Sequence, residues 1–242
     1  MGRHTPSAAP SASMLADASS LDLARRSVRE VNQLLHEARS GTFFISNPRG
    51  LHAIAVGLDG DLTISVAGHV GYYCAGMNKR ASITIDGNAG TGVAENMMSG
   101  RVHVKGDVSQ SAGAAACGGL LIIDGNASSR CGISLRGLDI VVKGSVGHMS
   151  AFMAQAGNLV VLGDTGDALG DSIYEARIFL RGAPKSLGSD CVIKDMRDEH
   201  KAILRGLLDE AGLGGSVDVS EFRRYGSART LYNFRVENLG FY

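Results

Sequence analysis

Tryptophan is absent from the 242 residues, aromatics make up only 5%, and proline occurs 4 times. A core must therefore be assembled from aliphatic and small side chains. The scarcity of proline argues against collagen, a proline-rich linker or a largely disordered chain. Neither sign of charge is in excess, since 24 basic and 24 acidic residues cancel. Nucleic acid and anionic membrane both demand a basic excess, so neither is expected as a partner. No run of roughly 18 apolar residues occurs, which excludes a spanning helix. Cys74, Cys117, Cys131 and Cys191 are widely separated, with neither a C-x-x-C pair nor zinc spacing. They read as reduced thiols of a cytoplasmic protein. Residues 1–20 lack the apolar segment of a secretory signal and are expected to form a disordered tail.

Glycine is the residue in surplus, at 33 of 242, about twice its average share. Gly68, Gly87, Gly106, Gly125, Gly144, Gly163 and Gly182 follow one another at intervals of 19 without insertion or deletion. Two residues before each stands Val66, Ile85, Val104, Ile123, Val142, Val161 or Leu180. Four before each stands Ile64, Ile83, Val102, Leu121, Ile140, Leu159 or Ile178. Seven residues after each glycine the side chain is always small, from Ala75 through Gly113 to Ser189.

An apolar-x-apolar stretch is a strand with alternate side chains buried. A glycine behind it permits the positive φ of a sharp corner. Nineteen residues are too few for a strand, a crossover helix and a return, which need roughly 30. They suit one coil of a solenoid with about three short strands. At about 4.8 Å per coil, seven coils make a rod of roughly 34 Å. The expected fold is all-β: a right-handed parallel β-helix of about seven 19-residue coils with short flanking helices.

Stacked coils place equivalent residues over one another. The residues before the glycines would then form a ladder Asp86–Lys105–Asp124–Lys143 of alternating sign. Three residues before the last four glycines stand Ile122, Val141, Val160 and Phe179, an outward apolar stripe that needs a cover. It is a candidate interface, either with a partner subunit or with a helix from segment 197–212 through Ala202, Ile203, Leu207 and Ala211. The domain reading is a tail over 1–20, a helix and arm over 21–50, the β-helix over 51–196, and a helix and docking tail over 197–242. Segment 27–38 has helical periodicity through Val31, Leu34, Leu35 and Ala38, and is expected to cap the open end of the rod or reach a neighbour. Segment 222–235 mixes aromatic and basic residues and reads as a docking arm.

Catalytic patterns are scarce: no Walker A loop, H-E-x-x-H or G-x-S-x-G occurs. The run Gly87–Asn88–Ala89–Gly90–Thr91–Gly92 superficially resembles a phosphate loop, but its first glycine belongs to the corner series. His148 and Asp167 fall one coil apart and could pair, and Tyr72–Tyr73 near Met77 could face a partner or a substrate passage. Chemistry alone points to a scaffold or binding subunit, with a self-sufficient β-helix enzyme as the alternative.

The run from Val66 to Met77, followed by Ile83 to Gly90, resembles the carboxy-terminal β-helix domain of the glutamate synthase large subunit, named for its G-x-G-x-G pattern. The recurrent form here is closer to G-x-x-G, and Ser109, Ser128 and Lys185 replace its second glycine in three coils. The likeness spans about residues 22–196. It is greatest to the free-standing β-helix subunits of methylamine–glutamate N-methyltransferase (N-methylglutamate synthase). The resemblance implies a complex converting methylamine and glutamate to N-methylglutamate and ammonia. It also implies two partners, a glutamine-amidotransferase-like subunit and a glutamate-synthase-like barrel subunit carrying FMN and an iron–sulfur cluster. No catalytic, cofactor or metal residue of that family transfers onto this chain. The alternatives are equivalent subunits of a glutamate synthase, or of a formyltransferase/hydrolase complex resembling the β-helix component of formylmethanofuran dehydrogenase.

Overall fold

The computed structural model describes residues 19–229. The tail expected over residues 1–18 and the end of the docking arm, residues 230–242, lie outside the described residues. Within them the chain is a parallel β-solenoid of about seven coils, with all strands in one 11-stranded sheet. Strands β3 (Asp61–Ala67), β4 (Ser82–Ile85), β5 (Arg101–Val104), β6 (Leu120–Ile123), β7 (Arg136–Val142), β8 (Ala156–Val161) and β9 (Arg177–Leu180) stack in chain order. Their register is that of the 19-residue period, with Ile64, Ile83, Val102, Leu121, Ile140, Leu159 and Ile178 in one column of partners. That column and the one two residues on, Val66 to Leu180, are buried and form the spine of the core. Each such side chain contributes roughly 1.5–3 kcal/mol on burial.

The coil has one strand rather than three. Its second side is a single column of parallel bridges linking Val70, Ala89, Val108, Ala127, Val146, Thr165 and Pro184. The third side has no strand; its alternate residues take positive φ, as at Tyr73, Ala75 and Met77 or Met149, Ala151 and Met153. The amides of each trio bond alternately to neighbouring coils. Met149 donates to Asp167 O (2.8 Å) in the next coil, Ala151 to Cys131 O (2.8 Å) in the previous one, and Met153 to Asp171 O (2.9 Å) in the next. A non-glycine residue at positive φ costs of order 1 kcal/mol, and these coil-to-coil hydrogen bonds hold it there.

This moves the expected role of the corner glycines. Gly68 has φ +130°, but Gly87, Gly106, Gly125, Gly144, Gly163 and Gly182 are not in the left-handed region. Each of those six packs against the backbone of the glycine in the preceding coil. A Cβ there would lie 2.6–2.9 Å from that glycine's carbonyl carbon. Close approach of stacked backbones, not dihedral freedom, excludes a side chain. The positive φ belongs seven residues on, at the small residues Ala75, Ala94, Gly113, Gly132, Ala151 and Gly170.

The stack starts before residue 51. Strands β1 (Ser19–Asp22) and β2 (Ser40–Ser46) extend the sheet ahead of β3, in parallel register. Between them helix α1 (Val28–Glu37) begins at a capping box, in which Glu30 N–H donates to Ser27 Oγ and Ser27 N–H to Glu30 Oε2 (2.7 Å). Its Val31 and Leu35 enter the main core. Asn32 ties it to the first coil, donating to Ala53 O and accepting from Ala55 N–H, both at 2.8 Å. The helix therefore stands in for one turn side, and β1 forms the end of the described stack.

At the other end the chain leaves the repeat. Strand β10 (Cys191–Lys194) is followed by helix α2 (Asp198–Glu210), a short 3-10 turn (Val219–Glu221) and β11 (Arg223–Ser227). The last of these inserts antiparallel between β9 and β10. The first part of the expected docking arm is thus a strand of the chain's own sheet. No helix among the described residues is long and apolar enough to cross a membrane.

Candidate functional site

The solenoid presents three outward surfaces: the sheet face, the corner and the turn side. On the sheet face the stripe Ile122, Val141, Val160 and Phe179 is buried under α2. The contacting face is Leu204, Leu207, Leu208 and Ala211, joined by Phe222. It is rotated from the expected one, since Ala202 is exposed and Ile203 only half-buried. Leu204 and Leu208, four apart, carry the contact instead. The stripe is thereby occupied within the chain.

Beside the helix lies the charged row. Lys105 pairs with Asp86 (3.3 Å) and Lys143 with Asp124 (2.7 Å), but the ladder breaks between them because His103 Nε2 takes the other side of Asp124 at 3.0 Å. Burial pushes the Asp124 carboxyl up. The close approach of the Lys143 ammonium and the His103 imidazole outweighs it and holds the group below the usual carboxylate range. One step across the sheet, burial raises Asp139 despite the amide of Asn158 at 2.6 Å. Arg101 donates to Glu210 O (2.7 Å) and anchors the end of α2.

The corner carries a polar relay not anticipated from the sequence. The side chain after each glycine accepts the backbone N–H of its equivalent one coil on. Asn88 N–H donates to His69 Nδ1 (2.9 Å), Asp107 N–H to Asn88 Oδ1 (3.0 Å), and Asn126 N–H to Asp107 Oδ1 (2.7 Å). Ser145 N–H then donates to Asn126 Oδ1 (2.9 Å), Asp164 N–H to Ser145 Oγ (3.0 Å), and Ala183 N–H to Asp164 Oδ1 (2.8 Å). The signal was present as a polar residue after six of the seven glycines. The run from Gly87 to Gly92 is a piece of this corner and opens no helix.

His148 and Asp167 do not form an ion pair. Lys185 Nζ reaches the Asp167 carboxylate at 2.8 Å and Ser186 Oγ donates to it at 3.3 Å. Cys74 and Cys131 point into the core, where burial pushes both thiols up to about 12, so they stay protonated and unreactive. Cys191 is also buried, and Cys117 is exposed. Among the described residues no group of three or more His, Cys, Asp or Glu side chains is arranged to hold a metal ion.

The turn side is different in kind. Tyr72 (51% exposed), Tyr73, Met77, Met98, Met153 and Tyr174 stand out of it across the coils. Tyr72 stacks on His52 with ring centroids 4.4 Å apart. Tyrosine and methionine are residue types enriched at interface cores.

No family model matches the chain. Protein GlxC of Rhizobium meliloti (strain 1021) is 58% identical to it over 226 residues, covering 92% of this chain and 99% of that protein.

Proposed function

The chain belongs to the family of Protein GlxC, and from that premise we propose that it is a non-catalytic β-solenoid subunit scaffolding a multi-subunit N-methylglutamate synthase. In this reading it holds a glutamine-amidotransferase-like subunit against a glutamate-synthase-like barrel subunit that carries the FMN and iron–sulfur cluster. The assembly converts methylamine and glutamate to N-methylglutamate and ammonia in the cytoplasm.

The observation that carries the reading is the exposed turn side. Tyr72, Tyr73, Met77, Met98, Met153 and Tyr174 project from a rigid stack whose other apolar stripe is already covered. Tyrosine and methionine are the side-chain types enriched at the cores of protein interfaces. The solenoid suits such a role because its backbone is fixed by coil-to-coil hydrogen bonds on all three sides. The resemblance to the glutamate synthase β-helix supplies the identity of the partners.

Co-expression with an amidotransferase-like and an FMN-barrel protein tests this. The expected result is one complex that makes N-methylglutamate, from which the folded Met98→Glu/Met153→Glu double variant is lost. A chain that purifies alone and turns over substrate, or partners fully active without it, would overturn the reading.

A further inference from the structure

The insertion of β11 between β9 and β10 builds a cleft of about 330 Å³ that has no equivalent in the repeating coils. Arg177 of β9, Lys194 of β10, Arg197 before α2, Arg224 of β11 and Arg229 all line it. Five cations thus converge from separate segments of a chain whose total charge is zero.

Their partners are unequal. Arg229 is bound to the Asp190 carboxylate, and Arg197 to Glu199 at 2.8 Å. Arg224 gives Nε to Asp195 O (2.9 Å), and Arg177 Nη1 reaches only Asn158 Oδ1 at 3.5 Å. Among the described residues no carboxylate lies within ion-pair distance of Arg177, Lys194 or Arg224. Burial, together with repulsion from Arg197 and Arg177, pushes the Arg224 guanidinium below its ordinary value. On the sheet face, by contrast, outward charges pair with the opposite sign, as Lys105 with Asp86 and Lys143 with Asp124. Like charges gathered in a half-enclosed cleft are unfavourable unless an anion joins them.

We propose that this cleft binds a small molecule carrying one or two carboxylate or phosphate groups. Arg177 and Arg224 offer the planar donor forks that match such oxyanions, and Lys194 adds a flexible third donor. The volume is at the lower end for small-molecule pockets, which suits a metabolite-sized anion. Glu175 and Glu199 on the lining disfavour a polyanion. The site is independent of the scaffold reading above.

Calorimetric titration of the full chain at fixed ionic strength, with inorganic phosphate and separately with glutarate, tests it. Saturable binding of at least one probe is expected, and the stronger of the two names the ligand's anionic group. Arg177→Gln and Arg224→Gln should each weaken it at least tenfold, with circular dichroism unchanged. Arg29→Gln, on the exposed side of α1 at the opposite end of the stack, should leave it intact. Should either arginine variant fail to fold, Lys194→Gln on the exposed edge strand must show the loss. No saturable binding of either probe, or an equal loss with Arg29→Gln, overturns the site. So does binding seen only after removal of residues 230–242, which would make the chain's own end the occupant.

Discussion

A side chain at any of the six stacked corner glycines from Gly87 to Gly182 would collide with backbone, which cannot swing aside. For Gly125 the obstacles are the Gly106 carbonyl carbon at 2.9 Å and the Asp107 carboxylate, itself committed to the corner relay. Gly125→Val is therefore expected to destabilise the protein by about 3 kcal/mol or more, read as a fall in the denaturant midpoint. Gly206 is the counterexample: it lies within α2, and the position a methyl group would take there has nothing within 4 Å. Gly206→Ala should raise stability by about 1 kcal/mol in the same measurement, because it removes only backbone freedom. The 19-residue series sets Gly125 apart from Gly206 in the sequence, but only the surroundings show that stacked backbone is what excludes a side chain.

At the scale of elements, α2 is the piece whose partner is distant in the chain. Leu204 is fully buried over the stripe formed by Ile122, Val141, Val160 and Phe179. Leu204→Ala should cost about 2–5 kcal/mol, and size-exclusion chromatography should show association as the stripe loosens. Ala202→Ser, on the exposed side of the same helix, should change neither. The helix and its amphipathic character were legible from residues 197–212, but its rotation was not. Ala202, Ile203, Leu204, Leu207, Leu208 and Ala211 span a wide apolar arc, and the stripe selects the part containing the leucines. The tail strand β11 was not legible either, since an antiparallel edge pairing leaves no period in the sequence.

The whole molecule behaves as a one-dimensional stack, in which each coil contacts only its neighbours. Deleting residues 88–106, one full period, should leave Asp107 in the relay position of Asn88 and keep both apolar columns in register. The expected product is folded and cooperative, with lower stability but unchanged strand content by circular dichroism. Deleting only 88–97 shifts the inward residues out of register and should abolish folding. If the two deletions behave alike, the repeat is not the unit of stability.

The sequence by itself determined the period, the one apolar strand of each repeat, the two buried columns and the stacking order. All of these are local consequences of one pattern recurring at a fixed interval, so each coil repeats the pattern of the last. Only the tertiary structure decided where the positive φ angles fall, which face of α2 is buried, and that β11 inserts between β9 and β10 to create the cationic cleft. Those outcomes depend on contacts between segments with no shared pattern. There the choice rests on which surfaces are left uncovered once the coils have stacked.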